Sequence, residues 1–176
     1  MGKKVIKEIL SWVLVFAIAF ALALFINRFV YLNVDVPSGS MEKTIMVGDK
    51  VGTYRLAYLF GNPKRGDIIV FPFPDDESVD YIKRIIGLPG ETIEGKNGLV
   101  YIDGKPLKEP YVTSKLDSDF GPYKVPADSY FMMGDNRNIS ADSRYWNNKF
   151  VKRDKIIGKA LFKYPNFAWL NKNMSY

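Results

Sequence analysis

Histidine and cysteine are both absent from this chain of 176 residues. It therefore cannot assemble a Ser-His-Asp triad, a cysteine nucleophile or a zinc site of the usual His/Cys kinds. No disulfide framework can hold it together, so any exported part depends on packing alone. A serine hydroxyl is almost un-ionised at neutral pH and needs a base within hydrogen-bond reach, and here that base has to be Lys, Asp, Glu, Tyr or a chain terminus. Also missing are internal repeats, low-complexity linkers and, beyond the N-terminal segment, any long stretch with 3.6-residue apolar periodicity. The length suits one good hydrophobic core with room for a small appended subdomain.

What is present, first, is a run of membrane length. "MGKKVIKE" is followed by Ile9 to Ile26, 18 residues without a charge, which as a helix cover about 27 Å, close to the hydrocarbon thickness of a bilayer. Lys3, Lys4 and Lys7 precede it and only Arg28 follows closely. That bias predicts a cytoplasmic tail at 1–8, a transmembrane anchor at 9–26 and an extracytoplasmic domain at 27–176 in the cell membrane. Ala17, Ala19, Ala21 and Ala23 offer small-x-small patterns, but they lie inside the apolar run, and the run exceeds a usual signal-peptide core. An uncleaved anchor is the expectation. The net charge of +6 comes from basic residues interleaved with acids, so membrane lipid, and not nucleic acid, is the expected partner.

The rest reads as mainly β. "GDIIVFPF", "DYIKRIIGL", "GLVYIDG", "DSYFMMGD" and "KIIGKALFKY" are short runs rich in β-branched and aromatic residues, each bounded by turn formers. "LPGE", "GKNG", "IDGK" and "VPAD" mark turns, with Asp103-Gly104 a good hairpin signal. Dense turns favour antiparallel strands over crossover helices. The expected architecture is an antiparallel-sheet core with a smaller β-hairpin insertion at about 96–124.

Two serines, Ser38 and Ser40, stand one residue apart in "VPSGSMEKTI". On a strand, "DYIKRIIGL" sends Tyr81, Lys83 and Ile85 to one face and Ile82, Arg84 and Ile86 to the other, so one of the two adjacent cations is expected to be buried. A desolvated lysine can be neutral near physiological pH and serve as a base, whereas arginine keeps its charge. Lys83 is thus a candidate base, with an edge-strand lysine reaching for solvent as the plainer reading. Lys43, three residues after Ser40, matches the S-x-x-K signature of penicillin-binding proteins, but their companion motifs S-D-N and K-T-G are missing; Lys43 reads as a solvated turn lysine. "GDNRNISADSRYW" fails as a calcium loop because Arg137 occupies a ligand position, and it reads as an ordered polar loop that orients a neighbour. "RGD" at 65–67 reads as a turn, and the sequons at Asn138 and Asn173 carry no weight without a glycosylating host.

In order and in company these stretches are similar to the type I signal peptidases, membrane-anchored Ser/Lys endopeptidases. The resemblance runs from the anchor through "PSGSM", "RGDIIVF" and "YIKRIIGLPGE" to "GDNRNISADSR". It implies that Ser40 is the nucleophile and Lys83 the general base, that Ser38 joins the backbone N–H of Ser40 in an oxyanion hole, and that Ser140 holds the Lys83 amine. It further implies that Asp142 and Arg144 support the site, that Arg84 and Asp135 form a supporting ion pair, and that Val36, Pro37, Met41, Ile45, Tyr81 and Ile82 surround shallow substrate pockets. No metal or organic cofactor is implied. One departure is plain: where the family commonly has "SM-x-PTL", Lys43 replaces a proline and Ile45 a leucine, which leaves the turn after the nucleophile open.

The implied substrates are the signal peptides of exported preproteins, cut after small residues (Ala-x-Ala) at the membrane surface. The 13 residues from Asn27 to Gly39 reach at most about 45 Å, which keeps Ser40 close to the bilayer. Phe167 and Trp169 are candidates for seating the domain on lipid. A repressor-type Ser/Lys autoprotease would share the dyad but should carry a DNA-reading domain in place of the anchor. A non-enzymatic anchored β domain would leave the four ordered motifs unexplained.

Overall fold

The computed structural model describes residues 2–170, apart from the side chain of Lys3. Helix α1 spans Gly2–Phe25 and continues as one wider turn over Ile26–Val30. From Lys4 to Val30 it is long and apolar enough to cross a membrane, and none of its most apolar window is buried by the rest of the protein. The sequon residue Asn173 lies outside the described residues.

Strand β1 (Tyr31–Asp35) follows the helix directly. Then come β2 (Lys50–Tyr54), β3 (Ile68–Phe73), β4 (Asp76–Gly87), β5 (Thr92–Lys96), β6 (Leu99–Ile102), β7 (Lys105–Pro106), β8 (Phe120–Lys124), β9 (Ser129–Met133), β10 (Phe150–Lys152), β11 (Gly158–Tyr164) and β12 (Ala168–Trp169). They form an antiparallel eight-stranded sheet in the order β1-β2-β11-β3-β4-β9-β10, with β12 beside β11, and a four-stranded sheet in the order β7-β6-β5-β8. The second sheet opens at Thr92. Its two hairpins turn on Asn97-Gly98 and Asp103-Gly104, all four residues at positive φ, the conformation that two-residue hairpins matching strand twist require.

The middle of the large sheet is covered on both faces, which is why β3 reads as the unbroken run "IIVF". Ile68 and Val70 join Val36, Met41, Ile45, Val51, Ile82 and Ala160 in one core. Ile69 and Phe71 face the other way, with Ile85, Tyr130, Met132 and Trp146. A third core under the small sheet gathers Ile86, Ile93, Val100, Phe131 and Met133. Strand β9 feeds two of these cores by simple alternation, and β4 supplies all three through Ile82, Ile85 and Ile86.

One outer face of the sheet is aromatic and uncovered. Tyr31 stacks on Phe162 at 6.3 Å, and Phe167 and Trp169 pack on Phe162 at 5.5 and 5.7 Å while staying 60% and 52% exposed. This patch adjoins the point where the chain leaves α1.

Candidate active site

Beyond β1 the chain is pinned to β2 by Val36 N–H donating to the Asp49 carbonyl and Gly48 N–H to that of Val36. It then makes a tight 3-10 turn, Gly39–Met41. A Cβ on Gly39 would lie 2.6 Å from a Glu42 carboxylate oxygen, so a larger residue there would have to push the flexible Glu42 side chain aside. Ser40 sits in this turn, buried, and its carbonyl accepts the N–H of Asn136 at 3.1 Å. Glu42 (φ −51°, ψ 148°) and Lys43 (φ 77°) continue as a type II turn closed by Thr44 N–H donating to the Met41 carbonyl. Proline, locked near φ −65°, cannot occupy that left-handed position. The turn after Ser40 is therefore built differently from one with proline at this place, and Lys43 is exposed within it.

Lys83 comes to Ser40 from β4. Its Nζ lies 2.9 Å from Ser40 Oγ and 3.1 Å from the Ile82 carbonyl oxygen, and 4.9 Å from the centre of the Tyr81 ring. The shorter separation suits an ammonium donating to Oγ and equally a hydroxyl donating to a neutral amine. Burial drives the Lys83 amine down from 10.5 to about 8, against the opposing attraction of the Asp142 carboxylate. Lys83 and Arg84 are both buried, at 4% and 0% exposure, so burial takes in both adjacent cations and not one alone. Either face of β4 here has a core to enter.

Arg84 is matched by a carboxylate. Its Nε and Nη2 donate to the two oxygens of Asp135 at 2.7 and 2.5 Å, and Nη1 donates to the Gly66 carbonyl. Thr44 Oγ1 donates to the same Asp135, which ties the turn after Ser40 into the pair. Asp142 accepts from Arg144 Nε and Nη2 at 2.8 and 3.0 Å and from Gly134 N–H at 3.0 Å. A Cβ on Gly134 would run into Ser140 Oγ and the Ser40 carbonyl oxygen, so glycine lets the polar loop close onto the nucleophile.

The structure departs from expectation at Ser140, Met41 and Ile45. Ser140 Oγ is buried and makes no hydrogen bond; it does not hold the amine, whose partners are Ser40 and Ile82. Met41 and Ile45 are fully buried in the first core beneath the site and do not line its cleft. Ser38 is exposed, with its hydroxyl 3.5 Å from Ser40 Oγ, at the long limit of a hydrogen bond.

The cleft over the pair has a volume of ≈ 370 Å³ and runs between Val34–Ser40 on one side and Val79–Lys83 on the other, with Ile139 and Ala141 at its edge. Val36, Pro37, Tyr81 and Ile82 are among its lining residues. Val34, Val79 and Ile139 were missed, although an exposed isoleucine inside a polar loop is a visible signal. Strand β1 ends its sheet, and β9 pairs with β4 only from Arg84 to Gly87. Among the described residues, both walls thus offer unpaired strand edge to an extended peptide. A larger hollow of ≈ 880 Å³, between 126–129 and 147–154, contains neither Ser40 nor Lys83. No group of three or more carboxylates able to hold a cation occurs among the described residues. Sequence reasoning also missed Asn136, Gly134 and the pair Arg137–Glu109, joined at 2.8 and 2.5 Å; nothing local in "LKEPY" marks Glu109.

The family described as signal peptidase, peptidase S26, matches residues 9–165. Signal peptidase I of Leptolyngbya laminosa is 45% identical over 150 residues, covering 81% of this chain and 73% of that protein. Signal peptidase I P of Bacillus subtilis subsp. natto is 39% identical over 183 residues, covering 97% of each. The crystal structure of a signal peptidase I from Enterococcus faecalis V583 is 38% identical with a TM-score of 0.49, covering 56% of this chain and 96% of that one. With a family match over most of its length and relatives this similar, the chain belongs to the signal peptidase family, peptidase S26.

Proposed function

We propose that Ser40 is the nucleophile and Lys83 the general base of a serine endopeptidase that removes signal peptides from exported preproteins. The observation that carries this is the 2.9 Å separation of Lys83 Nζ from Ser40 Oγ in a buried site that lowers the amine to about 8. At pH 7 such an amine is neutral about one time in ten, against fewer than about one in a thousand for an ordinary lysine.

The neutral amine takes the Ser40 proton as Oγ attacks the scissile carbonyl. The Ser40 N–H and the Ser38 hydroxyl stabilise the oxyanion. The ammonium then protonates the departing amine of the mature protein, and the regenerated base activates the water that cleaves the acyl-enzyme. Asp142 with Arg144, and Arg84 with Asp135, hold the polar loop and β4 in register. The substrate lies extended between the edges of β1 and β4, over Val36, Pro37, Tyr81 and Ile82, where a shallow cleft selects small residues as in Ala-x-Ala.

Residues 1–8 lie in the cytoplasm, a single span follows, and the β domain from about 27 onward stands outside, seated on membrane lipid through Phe167 and Trp169. The small sheet serves as its insertion. The test is purified full-length protein in detergent with an Ala-x-Ala preprotein. Ser40→Ala and Lys83→Ala each abolish cleavage, and Lys43→Ala retains most of it. Full activity in Lys83→Ala, with loss in Lys43→Ala, would overturn the assignment.

A further inference from the structure

The segment joining β7 to β8 belongs to the small sheet, yet it reaches under the polar loop of the active site. Glu109, only 9% exposed along its side chain, accepts Nη1 and Nη2 of Arg137, itself 2% exposed, at 2.8 and 2.5 Å. Tyr111 Oη donates to the same carboxylate at 2.8 Å, and the Tyr111 ring lies 4.0 Å from the Arg84 guanidinium carbon. Arg137 from the polar loop and Tyr111 from the β7–β8 connection thus converge on one carboxylate.

Arg137 passes the constraint on. Its Nε donates to the Gly134 carbonyl at 3.0 Å, and its own carbonyl accepts Arg144 Nη2 at 2.8 Å. Gly134 abuts the Ser40 carbonyl oxygen, and two residues on Asn136 N–H donates to that oxygen. The orientation of the Ser40 peptide therefore depends on how the 134–137 stretch is held. A bidentate, buried arginine is a stiff holder because its planar fork allows one geometry.

We infer that Glu109 is a positioning residue for the peptidase reaction: by clamping Arg137 it sets the Gly134–Asn136 backbone and through it the nucleophile turn. The inference rests on Ser40 being the nucleophile. It also gives the small sheet a part in catalysis, since Glu109 and Tyr111 come from its β7–β8 connection. None of these side chains lines the substrate cleft, so their loss acts on kcat and leaves KM for a short peptide nearly unchanged.

The experiment compares full-length wild type, Glu109→Gln, the double variant Glu109→Leu with Arg137→Met, and Ser40→Ala, in detergent with one peptide substrate. Glu109→Gln turns an amide N–H toward the guanidinium, and kcat falls about 10-fold or more at constant KM. The double variant replaces a buried ion pair with apolar groups of similar length, so its melting temperature returns near wild type. Its kcat stays low because the Arg137 bond to Gly134 is gone. Recovery of kcat together with melting temperature in the double variant would reduce the pair to a structural role and overturn the inference. So would a Glu109→Gln enzyme within twofold of wild type, or one whose change falls on KM. Activity surviving in Ser40→Ala would sink the nucleophile assignment instead, independently of Glu109.

Discussion

Replacing Lys83 with methionine should destroy activity and yet stabilise the fold. The amine falls from 10.5 to about 8 on burial. Each factor of ten in proton affinity is worth about 1.36 kcal/mol, so the folded state disfavours the charged amine by roughly 3 kcal/mol. Lys83 is 4% exposed, so solvent screening takes little from this figure. Because the folded value lies below the unfolded one, the penalty acts in full below about pH 8 and is relieved as the pH climbs from 8 toward 10.5. Methionine has similar length and no charge to desolvate. Against the gain stand the bonds to Ser40 Oγ and the Ile82 carbonyl, together about 2 kcal/mol. A net of about 1 kcal/mol remains at pH 6–7, or about 2–4 °C in melting temperature for a domain of this size. The assay is thermal unfolding of the full chain in detergent, followed by near-ultraviolet circular dichroism of the Phe73–Tyr81–Trp146 stack. The difference between variant and wild type should shrink between pH 8 and 10.5. A variant less stable than wild type at pH 6–7, or a difference unchanged by pH, would refute the reasoning.

The same amine predicts that kcat/KM climbs from pH 6 with an acid limb near 8; a flat profile from pH 5 to 9 would send the search for the base elsewhere. Lys43 holds φ 77° without being glycine, so Lys43→Gly should raise stability by about 0.5–1 kcal/mol and Lys43→Pro should lower it, both read by denaturant unfolding. Gly134→Ala forces a methyl against Ser140 Oγ and the Ser40 carbonyl; a correctly folded variant with kcat below about a tenth of wild type is expected, and full activity would show that the loop need not close on Ser40. For topology, protease added to intact spheroplasts should digest the β domain, and protection until lysis would reverse the orientation argued from Lys3, Lys4 and Lys7.

Much of the fold was legible because the strands that make the cores announce themselves. "GDIIVF", "YIKRIIG", "LVYI", "SYFMM" and "GKALFKY" became β3, β4, β6, β9 and β11, since their β-branched and aromatic residues serve both as strand formers and as core. Strands β1, β2 and β10 were not legible. "YLNVD" and "KVGTY" mix polar and apolar residues, and they are strands because they pair with each other and, through β2, with β11 more than 100 positions away. Within the site, residues tied to a motif were found, while Glu109 was hidden because its partner is 28 positions distant.

By itself the sequence determined that a lysine, a carboxylate, a tyrosine or a chain terminus must serve any nucleophile, because histidine and cysteine are missing. It also determined a single bilayer-length apolar run, because length and absence of charge are properties of a contiguous segment. The resemblance pointed to Lys83, but only the tertiary structure brings that lysine to Ser40. Lys43 is three residues away along the chain and points to solvent; Lys83 is 43 away and sits at 2.9 Å. The difference is physical: a base needs contact and a depressed proton affinity, and both arise from desolvation by neighbours that only folding brings together.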